Sequence, residues 1–212
     1  MAKDKIFKCL GSTNHLKEGE ERVPMDFYAT PQDAVVRLLE KLKELNIELP
    51  NNIIEPSVGN GNIANILTEN GYTVTAFDII DRGYPGTIVK DFLTLDTRPE
   101  EPIAIIANFP YKDIVQHVEK SISLLNKGEY LICLTKIQFL ESKKRYESIF
   151  KLNPPKYCFV FVKRVTCLKN NKEQDESGAV CYTWSVFEKG FKGAPSIYWI
   201  DNITWQTNLN IL

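Results

Sequence analysis

The stretch Ile53-Ile54-Glu55-Pro56-Ser57-Val58-Gly59-Asn60-Gly61 decides the fold of this chain. Its two isoleucines begin a short apolar strand, and its two glycines permit the tight turn that follows, because glycine adopts backbone conformations that other residues avoid. Ile63, Ile66 and Leu67 then recur at helical spacing until Asn70-Gly71, a pair that suits the end of a helix. The stretch therefore predicts a buried strand that turns directly into a helix.

Strand and helix go on alternating after this stretch. We expect a helix at about 113–125 and strands at 72–80, 87–89, 102–107 and 129–134. These strands are unbroken apolar runs, which is typical of a parallel sheet covered by helices on both faces. Two later strands, 157–165 and 179–188, are joined by the polar segment 169–178 and would pair antiparallel. The sequence thus predicts an open α/β sheet with a late antiparallel hairpin.

A further helix is expected before the first strand. Thr30 can cap its free backbone amides, Pro31 suits the first helical position, and Asp33 can complete a capping box. Residues 1–25 show little periodicity and are interpreted as a loosely ordered arm. Residues 26–212 then form a single domain, as the length of 212 residues favours.

Composition argues against several classes of protein. With 43% hydrophobic residues, 25% charged residues and a net charge of −1, the chain resembles ordinary globular proteins, and no charge excess indicates nucleic acid. Its five scattered cysteines form no CxxC pair and it has two histidines, which argues against a zinc site or a disulfide framework. Because residues 1–8 are polar and charged we expect no signal peptide, and no apolar run approaches about 20 residues. We therefore expect a soluble, cytoplasmic protein without a metal or a membrane partner.

Asp78 closes the second strand, 19 residues after Gly59. A carboxylate there can accept hydrogen bonds from both hydroxyls of a ribose, and the glycine turn lets the backbone approach a ligand. Together they predict an adenosine-containing cofactor. Because Gly59-x-Gly61-x-x-Ala64 also fits the dinucleotide fingerprint, a nicotinamide dehydrogenase is an alternative. That enzyme would need an acid–base residue near the nicotinamide, and we expect His15 and His117 to be poorly placed for the task.

Asn108-Phe109-Pro110-Tyr111 follows directly on the apolar strand 102–107. Ligands of an open parallel sheet bind beyond the carboxyl ends of its strands, so this loop should face the cofactor. The Asn108 side-chain oxygen and the Phe109 carbonyl are two acceptors, Pro110 stiffens the loop, and Tyr111 offers a stacking face. This set suits a planar amine, whose nitrogen becomes more nucleophilic when both of its N–H groups are held. Aligned with an activated methyl group, such an amine could attack it directly.

From about Asp26 to Glu188 the chain resembles the N6-adenine-specific methyltransferases of the class I, S-adenosylmethionine-dependent superfamily, in particular the small DNA adenine methylases of phages and prophages. The matching stretches, in the order used by such enzymes, are Asp26-Phe27-Tyr28-Ala29-Thr30-Pro31, Glu55-Pro56-Ser57-x-Gly59-x-Gly61, Phe77-Asp78-Ile79, Asp91-Phe92-Leu93 and Asn108-Phe109-Pro110-Tyr111. The resemblance implies a Rossmann-like fold with a mostly parallel, seven-stranded sheet. It also implies methyl transfer from S-adenosylmethionine to the N6 amino group of adenine in DNA.

The resemblance assigns residues to both ligands. The implied cofactor-binding residues are Phe27, Tyr28 and Thr30 at the methionine end, Glu55 and Gly59 in the amino-acid and ribose region with Pro56 and Gly61 of the same motif, Asp78 at the ribose hydroxyls, and Ile79, Asp91 and Phe92 at the adenine. The implied catalytic residues are Asn108 and Phe109, which would hold the target amine, with Pro110 and with Tyr111 stacked on the target base.

Phe109 departs from the usual family pattern, Asn/Asp-Pro-Pro-Tyr. The position contributes a carbonyl, which any residue has, so the chemistry can survive. The form Asn-apolar-Pro-Tyr also occurs in ribosomal RNA adenine dimethyltransferases, so RNA is an alternative substrate. The same tetrapeptide would suit a protein glutamine amide, and an inactive cofactor-binding or interaction module is the alternative that is not an enzyme.

Residues 136–172 carry ten Lys or Arg and two acidic residues. Lysine is common on any solvated surface, but beside a catalytic loop such a run also suits contact with nucleic-acid phosphates. The candidate nucleic-acid-binding residues are Lys136, Lys143, Lys144, Arg145, Lys163 and Arg164. We expect no separate target-recognition domain, so sequence specificity should be weak or supplied by a partner protein. We expect the three tryptophans, Trp184, Trp199 and Trp205, in the core rather than stacked on bases.

Overall fold

A computed structural model describes residues 28–165, 167–169 and 180–203. The helices are α1 (Gln32–Glu44), α2 (Asn62–Glu69), α3 (Ile114–Leu124) and the short α4 (Lys143–Arg145). The strands are β1 (Tyr28–Ala29), β2 (Asn52–Glu55), β3 (Thr73–Asp78), β4 (Ile88–Val89), β5 (Ile103–Ala107), β6 (Tyr130–Lys136), β7 (Tyr157–Phe161), β8 (Leu168–Lys169), β9 (Tyr182–Glu188) and β10 (Ser196–Ile200). Short helical turns also occur at Phe92–Thr94, Ile137–Leu140 and Tyr146–Phe150.

Eight of these strands form one sheet, in the order β10-β7-β9-β6-β5-β2-β3-β4. β9 runs antiparallel to both of its neighbours, whereas the other neighbouring strands of this sheet pair in parallel. The predicted α/β sheet with a late antiparallel pair, β7 and β9, is therefore confirmed. The sheet has one strand more than the expected seven, because β10 pairs with the outer side of β7.

Helices cover both faces of the sheet, as predicted. On one face α1 and α2 bury their apolar sides, with Leu38 and Leu67 fully enclosed. On the other face α3 packs through Val118 and Ile122. All five residues of β5 are buried, because a central strand between two helical layers has no solvent-facing side. The continuous apolar pattern of that strand follows from this position.

A separate two-stranded sheet pairs β1 antiparallel with β8. The segment before α1 is therefore held by a segment that follows β7, far along the chain. Trp184 of β9 is fully buried and donates its indole N–H to the carbonyl of Ala34 in α1, at 3.1 Å. The segment that leads into α1 is thus fixed from two sides, which matters for the site described below.

Two expectations about local structure are wrong. Thr30 does not cap α1: Pro31 is the N-cap residue and no side chain caps the helix, because the Thr30 hydroxyl is engaged by another side chain. Trp199 does not lie in the core: it is 65% exposed, since it lies on the edge strand β10. Trp184 is in the core as expected, whereas Trp205 and the arm predicted over residues 1–25 lie outside the described residues.

No helix in the described parts of the chain combines the length and the apolar character needed to cross a membrane.

Candidate active site

A cavity of about 460 Å³ opens at the carboxyl ends of β2, β3 and β5. Of the predicted site residues, those that line it are Tyr28, Thr30, Glu55, Pro56, Asp78, Ile79, Asp91, Phe92, Asn108, Phe109, Pro110 and Tyr111. Gly59 and Gly61 form the turn beside the cavity rather than its wall, and Phe27 lies outside the described residues. The motifs that are scattered over the sequence thus meet at one edge of the sheet.

The glycine turn after β2 is held in place by Asp78 at the end of β3. Gly59 and Gly61 adopt positive φ angles of 57° and 88°, which favour glycine. The Gly59 N–H donates to Asp78 Oδ2 at 2.9 Å, and the Ile80 N–H donates to Asp78 Oδ1 at 3.2 Å. Tyr84 packs so closely on Gly61 that a Cβ there would lie 2.1 Å from its ring. The turn therefore needs glycine, and it lies directly beside a buried carboxylate.

Glu55 is a buried carboxylate that faces the cavity. It is 1% exposed, and its Oε2 atom has no hydrogen-bond partner among the described residues. Burial raises the pKa of Glu55 well above its usual value, and nearby Asp78 raises it further, against the opposing hydrogen bond from the Ala64 N–H. An unpartnered carboxylate oxygen in such a place suits a cationic or hydrogen-bond-donating ligand group.

Another part of the cavity wall combines a carboxylate, Asp91, with aromatic rings. One oxygen of Asp91 accepts the Leu93 N–H at 2.9 Å and so caps the turn Phe92–Thr94. Phe92 is buried, and its ring stacks on His117 of α3 with the centroids 6.3 Å apart. Ile79 is 47% exposed and offers an apolar surface on the cavity wall. A flat, partly polar ring would be complementary to this part of the cavity wall.

The amide of Asn108 is held in one orientation. Its Nδ2 donates to the carbonyl of Tyr28 at 3.1 Å and to the hydroxyl of Thr30, also at 3.1 Å. A primary amide has two N–H groups, and these two hydrogen bonds to the segment 28–30 use both of them. Asn108 Oδ1 therefore remains as the acceptor that faces the cavity, with the Tyr111 hydroxyl 3.4 Å away.

Tyr111 is surrounded by other aromatic rings and a lysine. Its ring centroid lies 6.3 Å from those of Tyr28 and Tyr182, and Lys136 Nζ lies 4.7 Å from it. Burial raises the pKa of Tyr111 well above its usual value, with Cys167 and Tyr182 adding to the effect. Tyr111 therefore keeps its proton near neutral pH, so that its hydroxyl can donate toward Asn108.

Phe109 turns its side chain into the core. The ring is 1% exposed and lies 5.1 Å from the ring of His117, which in turn stacks on Phe92. His117 Nδ1 contacts the carbonyl of Asp113 at 2.9 Å. Phe109 is thus part of an aromatic row that runs from the tetrapeptide through His117 to Phe92.

The predicted nucleic-acid-binding residues differ in their surroundings. Lys136 contacts the Tyr111 ring, as described above. Lys143, Lys144, Lys163 and Arg164 are exposed and follow the carboxyl ends of β6 and β7, but they do not line the cavity. Arg145 donates to the carbonyls of Phe139, Gln138 and Glu141, so its guanidinium holds the turn after β6.

Several residues of the cavity wall escaped prediction. His117 lines the cavity four residues after Asp113, which does so too, whereas His15 lies outside the described residues. Asn62 and Arg82 are further lining residues, and Arg82 Nε lies 4.0 Å from Asp78. A signal for Asn62 and Asp113 was available, since both follow closely on a predicted loop. No periodicity singles out His117.

Neither a protein-family model nor a curated protein sequence matches the chain. Solved structures do resemble it. A Listeria monocytogenes protein, assigned as a class I S-adenosylmethionine-dependent methyltransferase, superposes with a TM-score of 0.57 at 15% identity over 87% of this chain and 68% of its own. The 23S rRNA methyltransferase ErmE superposes with a TM-score of 0.53 at 17% identity over 79% of this chain and 73% of its own.

A modification subunit assigned to a type I restriction enzyme of Vibrio vulnificus YJ016 gives a TM-score of 0.57 at 11% identity. The alignment covers 82% of this chain but 47% of that subunit. Similarity at these identities concerns the fold. The chain has the Rossmann-like fold of class I S-adenosylmethionine-dependent methyltransferases, with its cavity where ligands of open α/β sheets bind.

Proposed function

We propose that this protein is an S-adenosylmethionine-dependent methyltransferase that modifies the N6 amino group of adenine in DNA. The observation that carries the proposal is the fixed amide of Asn108. Its two N–H groups are bound by the segment 28–30, so its oxygen is presented to the cavity next to Tyr111. A hydrogen-bond acceptor held in this way suits an N–H of an amino group, and that amino group would receive the methyl group.

The residues of the cavity fit the proposed cofactor. Glu55 offers a buried carboxylate oxygen without a partner, which would suit the ammonium group of the methionine moiety. Asp78 uses one oxygen for each of two backbone N–H groups and retains lone pairs for ribose hydroxyls. Ile79, Phe92 and Asp91 would contact the two faces and the amino edge of the adenine. The glycine turn allows the backbone to approach the ligand closely.

When bound, S-adenosylmethionine supplies an electrophilic methyl group on its sulfonium. The chain would contribute orientation: Asn108 Oδ1 and the Phe109 carbonyl each accept one N–H of the target amine. Held by both, the nitrogen is driven toward a pyramidal geometry in which its lone pair is available. Tyr111 would stack on the base. The proton would leave to solvent after transfer, so no covalent enzyme intermediate is needed.

DNA is preferred as the substrate because of the resemblance to phage-type adenine methylases over five ordered stretches. A base inside a duplex cannot reach the cavity, so it would have to be flipped out of the stack. Exposed Lys143, Lys144 and Lys163 follow the carboxyl ends of β6 and β7 and would contact the phosphates. The described residues contain no separate recognition domain, so a partner protein would supply sequence specificity; the similarity of this fold to that of a modification subunit supports this proposal.

RNA is the second candidate substrate. The Asn-apolar-Pro-Tyr form of the tetrapeptide favours it, and ErmE, with which this chain shares its fold, is a 23S rRNA methyltransferase. A protein glutamine amide presents the same two N–H groups to Asn108 and Phe109, and is the third.

The test is methyl transfer from labelled S-adenosylmethionine to DNA, RNA and protein, with N6-methyladenine identified by mass spectrometry. We expect label in DNA. Asn108→Ala should abolish transfer but change the affinity for S-adenosylhomocysteine less than about threefold, because the amide contacts the target and not the cofactor. Asn65→Ala, which alters an exposed asparagine of α2, is the matched control.

Each other outcome has a distinct meaning. Label only in RNA or only in protein would contradict DNA as the substrate but would leave the proposed site unchanged. Transfer by Asn108→Ala at the wild-type rate would refute the site. Binding of S-adenosylhomocysteine without transfer to any polymer would favour an inactive cofactor-binding module, and binding of NAD instead would favour the dehydrogenase alternative.

A further inference from the structure

We infer that Thr30 is a positioning residue, which fixes the catalytic amide of Asn108 and couples it to the glycine turn of the cofactor site. The inference rests on the proposed function and deepens it. It assigns to Thr30 a role different from the cofactor contact that the family resemblance implies.

Thr30 makes two hydrogen bonds through different groups. Its hydroxyl accepts from Asn108 Nδ2 at 3.1 Å, and its carbonyl accepts from Asn62 Nδ2 at 2.8 Å. Thr30 is 4% exposed, so water does not compete strongly for either bond. Asn62 is the first residue of α2 and directly follows Gly61. Thr30 therefore lies between the turn that faces the cofactor and the amide that faces the target amine.

The orientation of the amide depends on this segment. The Tyr28 carbonyl can accept but not donate, so it selects the Nδ2 side of Asn108. The Thr30 hydroxyl takes the second N–H. If the amide rotated by half a turn, its oxygen would face the Tyr28 carbonyl, and its N–H groups would face the N–H groups of the target amine. Removing the Thr30 hydroxyl leaves one buried N–H without a partner and weakens the preference for the productive orientation.

The segment itself is held firmly enough for this purpose. β1 pairs with β8, so that Tyr28 lies opposite Lys169 and Ala29 lies opposite Leu168. On the other side the carbonyl of Ala34 accepts the indole N–H of buried Trp184. Thr30 lies between these two attachments. Its hydroxyl is thus presented to Asn108 by the backbone on both sides of it.

The consequence is a separation of kinetic effects. A residue that contacts the cofactor should alter cofactor affinity when it is changed. A residue that orients Asn108 should instead alter the rate of transfer, because the amide acts on the target amine in the transition state.

The kinetic test compares Thr30→Val with Thr30→Ser. Valine keeps the shape but lacks the hydroxyl, whereas serine keeps the hydroxyl and lacks the methyl group. We expect Thr30→Val to lower kcat roughly tenfold or more, as the loss of one buried hydrogen bond suggests. The KM for S-adenosylmethionine and the affinity for S-adenosylhomocysteine should change less than about threefold. Thr30→Ser should retain at least half of the wild-type kcat.

A second measurement does not depend on activity. In ¹H–¹⁵N spectra of the protein bound to S-adenosylhomocysteine, the Asn108 side-chain amide pair is identified by its loss in Asn108→Ala. Thr30→Val should shift one of the two proton signals upfield and speed its exchange, whereas Thr30→Ser should leave both in place. In urea unfolding, Thr30→Val should lower the midpoint less in the Asn108→Ala background than in the wild-type background, because the bond is already absent there.

The outcomes separate the inference from the proposed function. The inference would be overturned if Thr30→Val had the wild-type kcat or if its Asn108 amide signals were unchanged. Neither result would contradict the proposed methyltransferase function. A loss of cofactor affinity with an unchanged kcat would also overturn it, and would make Thr30 a cofactor contact. If the wild-type protein methylates no polymer, the proposed function fails, and the amide signals and the unfolding cycle still decide the role of Thr30. If Thr30→Val does not fold, Thr30→Ala against Thr30→Ser provides the same comparison.

Discussion

At the scale of single residues, the cavity combines two polar groups with opposite requirements. Glu55 is buried with an oxygen that lacks a partner, whereas every N–H of the Asn108 amide is satisfied. The buried carboxylate therefore destabilises the ligand-free protein, whereas the Asn108 amide is oriented before any ligand binds. A destabilising group of this kind is typical of a site where a bound ligand offsets the loss of stability.

Changing Glu55 to Gln should affect the stability of the ligand-free protein and its affinity for the cofactor in opposite directions. Since burial raises the pKa of Glu55, the folded protein loses stability as the pH rises from the ordinary value of 4.5 toward the folded pKa. Glu55→Gln lacks this loss, so its free energy of unfolding without ligand should equal or exceed that of the wild type at pH 8. Its affinity for S-adenosylhomocysteine should fall about 10- to 100-fold, as loss of a charged hydrogen bond predicts.

Urea unfolding at pH 5 and pH 8 and calorimetric titration measure the two effects, with the exposed Glu69→Gln of α2 as the control. Wild-type affinity should also rise with pH over the same interval, because the ammonium group binds the carboxylate and not the acid. Unaltered affinity in Glu55→Gln would show that the carboxylate does not contact the cofactor.

At the scale of elements, the connection from β5 to α3 explains the unusual phenylalanine of the tetrapeptide. Phe109 fills the core between the sheet and His117, a place for which the smaller ring of proline offers less surface. The departure from the family pattern is therefore a matter of packing. The backbone carbonyl that the proposed mechanism uses is present with either residue.

Truncation of Phe109 should accordingly act on stability first. Phe109→Ala would leave a cavity in the core and should lower the free energy of unfolding by about 3–5 kcal/mol, with Phe109→Leu much milder. Urea unfolding checks this. At temperatures where Phe109→Ala is folded it should still bind S-adenosylhomocysteine, while transfer slows because the carbonyl is less well held. A variant as stable as the wild type would mean that the ring is not part of the core.

The sequence predicted most of the helices and strands, but missed the pair β1 and β8 beside the site and the edge strand β10 away from it. The strand-turn-helix unit around Gly59 and the apolar strand before Asn108 carry strong local signals, and both are confirmed. β10 escaped because it follows the turn-forming stretch 193–195 and exposes Ile197 and Trp199, so its pattern lacks a polar face. The cap on α1 failed for a different reason. Local rules cannot foresee that a distant asparagine competes for the Thr30 hydroxyl.

At the scale of the whole molecule, the two edges of the sheet have different roles. The carboxyl edge carries the cavity and the exposed lysines that follow β6 and β7. The amino edge carries a partly buried ion pair, in which the Glu129 carboxylate accepts from Arg98 at 2.9 Å and from the N–H of Ile103 at 3.1 Å. The proposed binding surfaces thus lie at one edge, and a stabilising contact lies at the other.

This division predicts which lysines contribute to DNA binding. Neutralising Lys143 and Lys144 with glutamine should weaken binding and reduce the slope of log affinity against log salt by about 1.8, if each contacts one phosphate of a duplex. Lys43 and Lys127 are exposed and lie at the amino edge, so the same change there should have little effect. Fluorescence anisotropy at several salt concentrations makes the comparison. Equal slopes for both pairs would argue against the proposed face.

The hydrogen bonds of Asn108 also bear on how the protein acquires its activity during folding. They join residues that are 80 and 78 positions apart, and β1 is held by β8, which follows β7 far along the chain. Contacts between such distant segments close long loops and are slow to form. We therefore expect the amide to become oriented only after the central strands have assembled. A local opening of the segment 28–30 should abolish the proposed methyl transfer while most of the native structure persists.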